Sequence, residues 1–349
     1  MLIDGRPASL SHGLGQLIAA SFGPRTEERE MIMIEPHTVI GIDVSRDWLD
    51  FHSLFDGKRG RFRNTDLGHA QLATLAKGYG ATVCFEATGG MEWPLWAHLE
   101  AQGVAAFQVP PAQVKWFTKA FGMRAKTDQM DAEMIARFFV FRPTSGRRLP
   151  AQKLRDLRAL NSKRIQLVDL RRRHLVMMKG QKRQGIDEMF SAQDKDLLAL
   201  LAAQVRQVEQ RISQVIASDQ LLARRADLLQ SVPGLGDVTT AMLISELPEL
   251  GEISVEQAAA LAGLAPMANE SGAFKGKRSI RGGRQTLRHI LYQAALVASR
   301  FNPRMKLVAQ KMKAAGKPHK VVIIAVARKL LGIVASMCKY DRKWDFQPA

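Results

Sequence analysis

Three strand signals in a row, followed by helix and strand in alternation, constrain the first part of this chain more than any other feature. "TVIGIDVS" (38–45) and "WLDFHSLF" (48–55) are rich in β-branched and aromatic residues, "RGRFRNT" (59–65) follows them, and "DGK" between the second and third is a turn signal. "LGHAQLATLAKGYG" then reads as a helix closed by glycine, "ATVCFEAT" as a fourth strand, and "PLWAHLEAQG" as a helix with proline near its start and glycine at its end. "VAAFQVP" is a fifth strand, and "TDQMDAEMIARFFVF" is a helix with Thr127 as its expected cap.

This order predicts an α/β domain built on a mixed sheet of the ribonuclease H type. In such a sheet the first and fourth strands are parallel neighbours. Asp43 lies in the first strand among Val39, Ile40, Ile42 and Val44, where an ionised carboxylate is costly unless something compensates it. Glu86 ends the fourth strand and would meet Asp43 at one sheet edge. Asp128 and Asp131, three apart in a helix, share a face. Four converging carboxylates repel one another unless a divalent cation joins them, and an all-oxygen set suits Mg²⁺ or Mn²⁺. The set Asp43, Glu86, Asp128 and Asp131 therefore reads as a metal-dependent phosphoryl-transfer site. Taken singly, each has a plainer reading: a turn carboxylate, a cap, or a solvated first helical turn favoured by the helix dipole.

The remainder divides by pattern. Residues 1–32 are expected to be a disordered extension from an upstream start codon, with Met31 or Met33 as a natural start. Residues 33–150 form the ribonuclease H-like domain, residues 151–230 a helical coiled-coil linker or dimerisation region, and residues 231–349 a separate helical domain. In the middle region Leu198, Leu201, Val205, Val208, Ile212, Val215 and Leu222 follow a coiled-coil seam, with Asp219 as its polar position. Such a seam serves either a hairpin within the chain or a dimer, and dimerisation is slightly favoured. In the last region "SVEQAAALAGL" opens with a capping box from Ser254 to Gln257.

Charge locates the polyanion surface. The chain carries 51 Lys and Arg against 33 Asp and Glu, a net +18, which points to nucleic acid or an anionic membrane. Net charge is −1 over residues 1–30, +2 over 31–150, +7 over 151–230 and +10 over 231–349, so the basic surface is expected mainly after residue 150. Cys84 and Cys338 lack metal-ligand spacing and suit a reducing compartment. The most apolar run, 321–338, is split by Arg328 and Lys329 and reads as a buried helix rather than a membrane span. No basic-then-apolar leader is evident, so a cytoplasmic, nucleoid-associated protein is expected.

Within the basic regions, Arg171, Arg172, Arg173, Lys179, Lys182 and Arg183 cluster along one helix as candidates for backbone contact with nucleic acid. "PGLGD" resembles a helix-hairpin-helix turn whose Gly234 and Gly236 amides could approach a phosphate, and equally a plain tight turn. "SGAFKGKRSIRGGRQTLR" carries Lys275, Lys277, Arg278, Arg281, Arg284 and Arg288 with interleaved glycines, which permits close approach to a sugar-phosphate chain. Ser271 at its head is a nucleophile only if those cations stabilise developing charge; most loop serines do turn or cap work.

"GIDVSRDWLD", "CFEATGG", "KTDQMDAEMIA", "SVPGLGDVTTAMLISEL" and "LAGLAPMANESGAFKGKRSIRGGRQTLR" together resemble the insertion-sequence transposases with a DEDD N-terminal domain and a serine-bearing C-terminal domain, the bridge-RNA-guided recombinases. The resemblance covers roughly residues 37–340, in the family's order. It implies a resolvase-like (RuvC-type) ribonuclease H fold whose Asp43, Glu86, Asp128 and Asp131 hold Mg²⁺, and a serine nucleophile at Ser271, with Ser279 a poorer match to the motif. Further implications are a covalent phosphoserine link to DNA, strand exchange by a dimer of dimers on element-end and target DNA, and a structured noncoding guide RNA. Two alternatives stay open on the residues alone. One is a metal-dependent junction nuclease without serine chemistry; the other is a non-catalytic nucleic-acid-binding descendant.

Overall fold

In the computed structural model, residues 38–122, 128–268, 270–271, 274–276 and 278–345 are described. The chain divides into two compact units, Met1–Leu149 and Pro150–Ala349. The expectations for residues 1–32 and for a cap at Thr127 lie outside the described residues.

The first unit contains β1 (Val39–Val44), β2 (Trp48–Ser53), β3 (Arg59–Arg63), α1 (Asp66–Tyr79), β4 (Thr82–Glu86), α2 (Trp93–Ala101), β5 (Ala106–Val109), α3 (Pro111–Ala120) and α4 (Asp128–Phe141). The strands form one mixed sheet in the order β3-β2-β1-β4-β5. β1, β2 and β3 are joined antiparallel, whereas β1 pairs with β4, and β4 with β5, in parallel. This is the mixed sheet anticipated from the strand order, and it is compatible with a ribonuclease H-like domain. Gly57 at φ +70° makes the "DGK" turn between β2 and β3. α3 was not anticipated; Pro111 sits in its first turn, where a missing N–H costs nothing.

Alternation along the strands loads both faces. Ile40, Ile42, Leu49, Phe51, Val83 and Phe85 pack with Leu72 of α1 and Leu95, Trp96 and Leu99 of α2. The opposite face gathers Val39, Cys84, Phe107 and Val109 under Ile135, Ala136, Phe138 and Phe139 of α4. Gly41 lets α4 lie directly on β1. A Cβ there would collide with the carbonyl oxygen of Ala132 and stand 2.7 Å from the amide nitrogen of Ala136. The Cys84 thiol donates to the Ile135 carbonyl at 3.7 Å, and burial pushes its pKa far up, so it is a packing group rather than a reactive thiol.

The second unit begins with α5 (Gln152–Gln184) and α6 (Asp187–Ala217), followed by α7 (Gln220–Gln230), α8 (Asp237–Glu246), α9 (Val255–Leu261), four two-residue strands, and three more helices. The strands are β6 (Pro266–Met267), β7 (Glu270–Ser271), β8 (Phe274–Lys275) and β9 (Ser279–Ile280). The helices are α10 (Gln285–Phe301), α11 (Pro303–Ala314) and α12 (His319–Tyr340). α5 and α6 form an antiparallel hairpin: Lys153 meets Asp219, Arg164 meets Glu209 at 2.7 Å, and His174 meets Asp194 at 2.9 Å.

Two details of the expected seam change. α6 ends at Ala217, and Asp219 caps α7 by accepting from the amides of Leu221 and Leu222, so Leu222 belongs to another helix. Val208, Ile212, Val215 and Leu222 pack into the unit's own core with Leu157, Leu229 and Leu243. The capping box of Ser254 and Gln257 is formed. α12 is long and apolar enough to cross a membrane by composition, but half of its apolar window is buried; Val322, Val326, Leu330, Leu331 and Val334 are core residues.

Candidate active site

Sheet register brings the strand carboxylates to one edge. Ile42 is the cross-strand partner of Phe85, so Asp43 and Glu86 occupy the next position along the parallel β1–β4 pair. Both lie on the face that carries Gly41 and Cys84, the face on which α4 rests. α4 begins at Asp128 and places Asp128 and Asp131 one turn apart; Asp131 immediately precedes Ala132, the residue seated over Gly41. Asp43, Glu86 and Asp131 are each half-buried. The side chain of Asp128 lies outside the described residues. Oxygen donors of this kind fit Mg²⁺ or Mn²⁺ in chemistry. Among the described residues, no three His, Cys, Asp or Glu side chains are close enough to hold a metal ion, so the shared edge is a property of the backbone arrangement.

The same row holds two residues that the sequence reading passed over. Asp50 of β2 is the direct partner of Asp43, and Arg61 of β3 is the direct partner of Asp50. Asp50 is 3% exposed and takes a two-pronged hydrogen bond from Arg61, 2.7 Å from Nε and 2.9 Å from Nη2. Two residues along β2, on the same face, His52 is buried and accepts at Nδ1 from Arg59 Nε at 3.1 Å. Burial holds the His52 imidazole below its ordinary pKa, outweighing the pull of the Glu133 carboxylate. Glu133 of α4 receives Arg59 and Arg137, each at 2.8 Å.

The loop after Glu86 is organised by Glu92, another residue passed over. Its buried carboxylate accepts from the amides of Thr88 at 3.2 Å and Gly90 at 2.9 Å, from the Thr88 hydroxyl at 2.9 Å and from Gln108 at 2.9 Å. Gly90, at φ +111°, permits the turn. Asp50 had a legible signal, a carboxylate inside an apolar strand. Glu92 had none, because its donors, two loop amides, the Thr88 hydroxyl and Gln108 of β5, meet only in the folded chain.

In the second unit Ser271 sits in the β7–β8 hairpin, paired with Phe274; its side chain lies outside the described residues, as do those of Lys275 and Lys277. Ser279 is exposed on β9 and, with Arg278, borders a cavity of about 1260 Å³ lined by Tyr292, Met305 and Ile324. Arg278 and Arg281 are exposed. Arg284 and Arg288 hold the unit together. Arg284 donates to the Glu246 carbonyl and to Glu249 at 2.9 Å, and Arg288 to the Gly282 carbonyl at 2.8 Å. Gly234, at φ +106°, lies tightly against Ala298, while Gly236 caps α8 with open space beside it. Arg171 and Lys179 are exposed on α5; Arg172 and Arg173 also are, and both pair with Asp169.

A mixed sheet with carboxylates at its parallel edge, joined to a strongly basic helical unit, suits an enzyme that acts on nucleic acid. Comparison with known proteins names the class. Residues 226–310 match the family described as Transposase IS116/IS110/IS902, and residues 40–190 match the IS110-type DEDD transposase family. The pilin gene-inverting protein of Moraxella bovis is 27% identical over 328 residues, covering 88% of this chain and 98% of the relative. A putative transposase of Sinorhizobium fredii is 28% identical over 288 residues, 68% of this chain and 72% of the relative. The 42 kDa protein of insertion element IS900 from Mycobacterium paratuberculosis is 30% identical over 152 residues, 41% of this chain and 37% of the relative. The protein is thus a DNA transposase or recombinase. Along both units the chain resembles the IS110 family of insertion-sequence transposases.

Proposed function

We propose that this transposase cuts and rejoins DNA with two sets of groups, the carboxylates Asp43, Glu86, Asp128 and Asp131 in the first unit and the hydroxyl of Ser271 in the second. The observation that carries the reading is the β1–β4 register, in which Asp43 and Glu86 follow the Ile42–Phe85 pair on the face against which α4, the helix containing Asp128 and Asp131, rests. A Mg²⁺ or Mn²⁺ ion held by these four would neutralise their repulsion and stabilise charge on a phosphodiester. Ser271 Oγ would attack phosphorus, forming the new P–O bond as the bond to the sugar oxygen breaks, with the serine proton ending on the departing sugar hydroxyl. Basic residues such as Arg278 and Arg281 are suited to hold the DNA backbone beside that serine.

The finer reading extends to partners. Element-end and target DNA would be held by a dimer assembling into a tetramer, with target choice delegated to a structured noncoding guide RNA, in a cytoplasmic, nucleoid-associated setting. The basic helices, "PGLGD" at 233–237 and the exposed cations of α5 support nucleic-acid contact.

The test is recombination on supercoiled DNA carrying element ends, with products resolved under denaturing conditions. Asp43→Asn and Ser271→Ala should each abolish recombination, and a protein–DNA adduct should form only when Ser271 is present. Free DNA ends from the Ser271→Ala protein would instead mark a metal-dependent nuclease without serine chemistry.

A further inference from the structure

We propose that the outer edge of the first unit's sheet, centred on Arg63 and Trp48, is a phosphate-binding track that seats a DNA strand beside the Asp43–Glu86 row. It rests on the reading of that row as the place of phosphodiester chemistry. The small net charge of residues 31–150 conceals this face. β3 reads "RGRFR", and its alternation puts Arg59, Arg61 and Arg63 on one side, while Phe62 stacks on Phe51 on the other. That side is the one carrying Asp50 and Asp43.

The three arginines differ in what holds them. Arg59 is bound to Glu133 and His52, and Arg61 to Asp50. Among the described residues Arg63 has no carboxylate partner. Its guanidinium lies 3.8 Å from the centre of the Trp48 ring, with that of Arg61 at 5.3 Å from the same ring. Stacking fixes the plane of the fork but leaves its N–H edge available, so little side-chain entropy remains to be lost when a phosphate binds. A planar fork matches phosphate oxygens two at a time.

The track is also tied to the site. Asn64, which follows Arg63, donates to the carbonyls of Ser45 at 2.8 Å and Met91 at 3.3 Å. Ser45 begins the turn after Asp43's strand, and Met91 belongs to the loop after Glu86. The buried ring of His69, 2.7 Å from Asn64 Oδ1, orients the amide. A strand end joined to both loops cannot drift relative to the carboxylates. β3 is an edge strand, so a nucleic-acid strand can approach this face from outside the sheet.

The experiment measures affinity of the full-length protein for a fluorescent mixed-sequence DNA duplex in EDTA, across a series of salt concentrations. Arg63→Gln should weaken binding about tenfold at moderate salt and make the slope of log K against log salt shallower by about 1. Arg63→Lys should keep the slope and lose a few-fold in affinity, because the charge stays and the stacked fork goes. A slope the same for wild type, Arg63→Gln and Arg63→Lys, in proteins that melt alike, overturns the proposal. So does a loss confined to an RNA duplex of the same sequence. Cleavage by Asp43→Asn is read separately: activity retained there would remove the carboxylate reading and leave the Arg63 slope to stand or fall by itself.

Discussion

Asp50 stands directly across the antiparallel ladder from Asp43, and the guanidinium of Arg61 grips Asp50 from the next strand. Two carboxylates opposed in a half-buried row repel each other unless a cation intervenes. The Arg61–Asp50 bond is therefore what lets Asp43 keep an acidic neighbour.

Removing that cation has a defined cost. Arg61→Gln leaves a carboxylate only 3% exposed without its charge partner, and stability should fall by about 2 kcal/mol in urea unfolding, short of a fully buried pair because Arg61 is half-exposed. Adding Asp50→Asn to Arg61→Gln should recover much of the loss. If the double variant is no better than the single one, the pair is not what stabilises the row.

Gly41 tests the seat of α4. Gly41→Ala forces a methyl group against the Ala132 carbonyl and to 2.9 Å from the Ala136 methyl. The helix must lift, at a cost of about 2 kcal/mol or more. DNA cleavage should fall further than stability explains, since Asp128 and Asp131 move with the helix. Wild-type cleavage in a folded Gly41→Ala protein would detach α4 from the chemistry.

Glu92 predicts a loop effect. Glu92→Gln places an amide group where donors converge from Thr88, Gly90 and Gln108, so the 87–91 loop should loosen. Recombination should drop while DNA affinity holds, and proteolysis should gain a site in this loop. An unchanged digestion pattern would argue that the loop is fixed by other contacts.

His52 and His69 make stability fall as the solution is acidified below neutrality. Burial, first among the influences on each, holds both imidazoles below the ordinary 6.5. The unfolded chain then binds more protons than the folded one as pH drops through 6.5. Stability is fully present above that value and declines as pH is lowered toward the folded-state pKa values. The urea midpoint should decrease from pH 7.5 to pH 5.5, and less so in His52→Gln. A midpoint flat across this range would show that neither ring is held neutral by the fold.

Periodicity within single elements determined a good deal. It marked the five strands of the sheet and the helices α1, α2 and α4, and placed Asp43 and Glu86 on strands and Asp128 and Asp131 on one helix, while the motifs themselves carried the resemblance that the family match supports. The tertiary structure alone decided which groups meet. It set Asp50 across from Asp43, gave Arg61 to Asp50 and Arg63 to Trp48, closed Glu92 on the loop after Glu86, turned Arg284 and Arg288 inward, and packed Val208, Ile212 and Val215 of the α6 seam into the core of their own unit. The physical reason is range. Side-chain spacing reports which residues share a face of one element, whereas the partner of a buried charge is chosen by strand register and helix packing between segments distant in sequence.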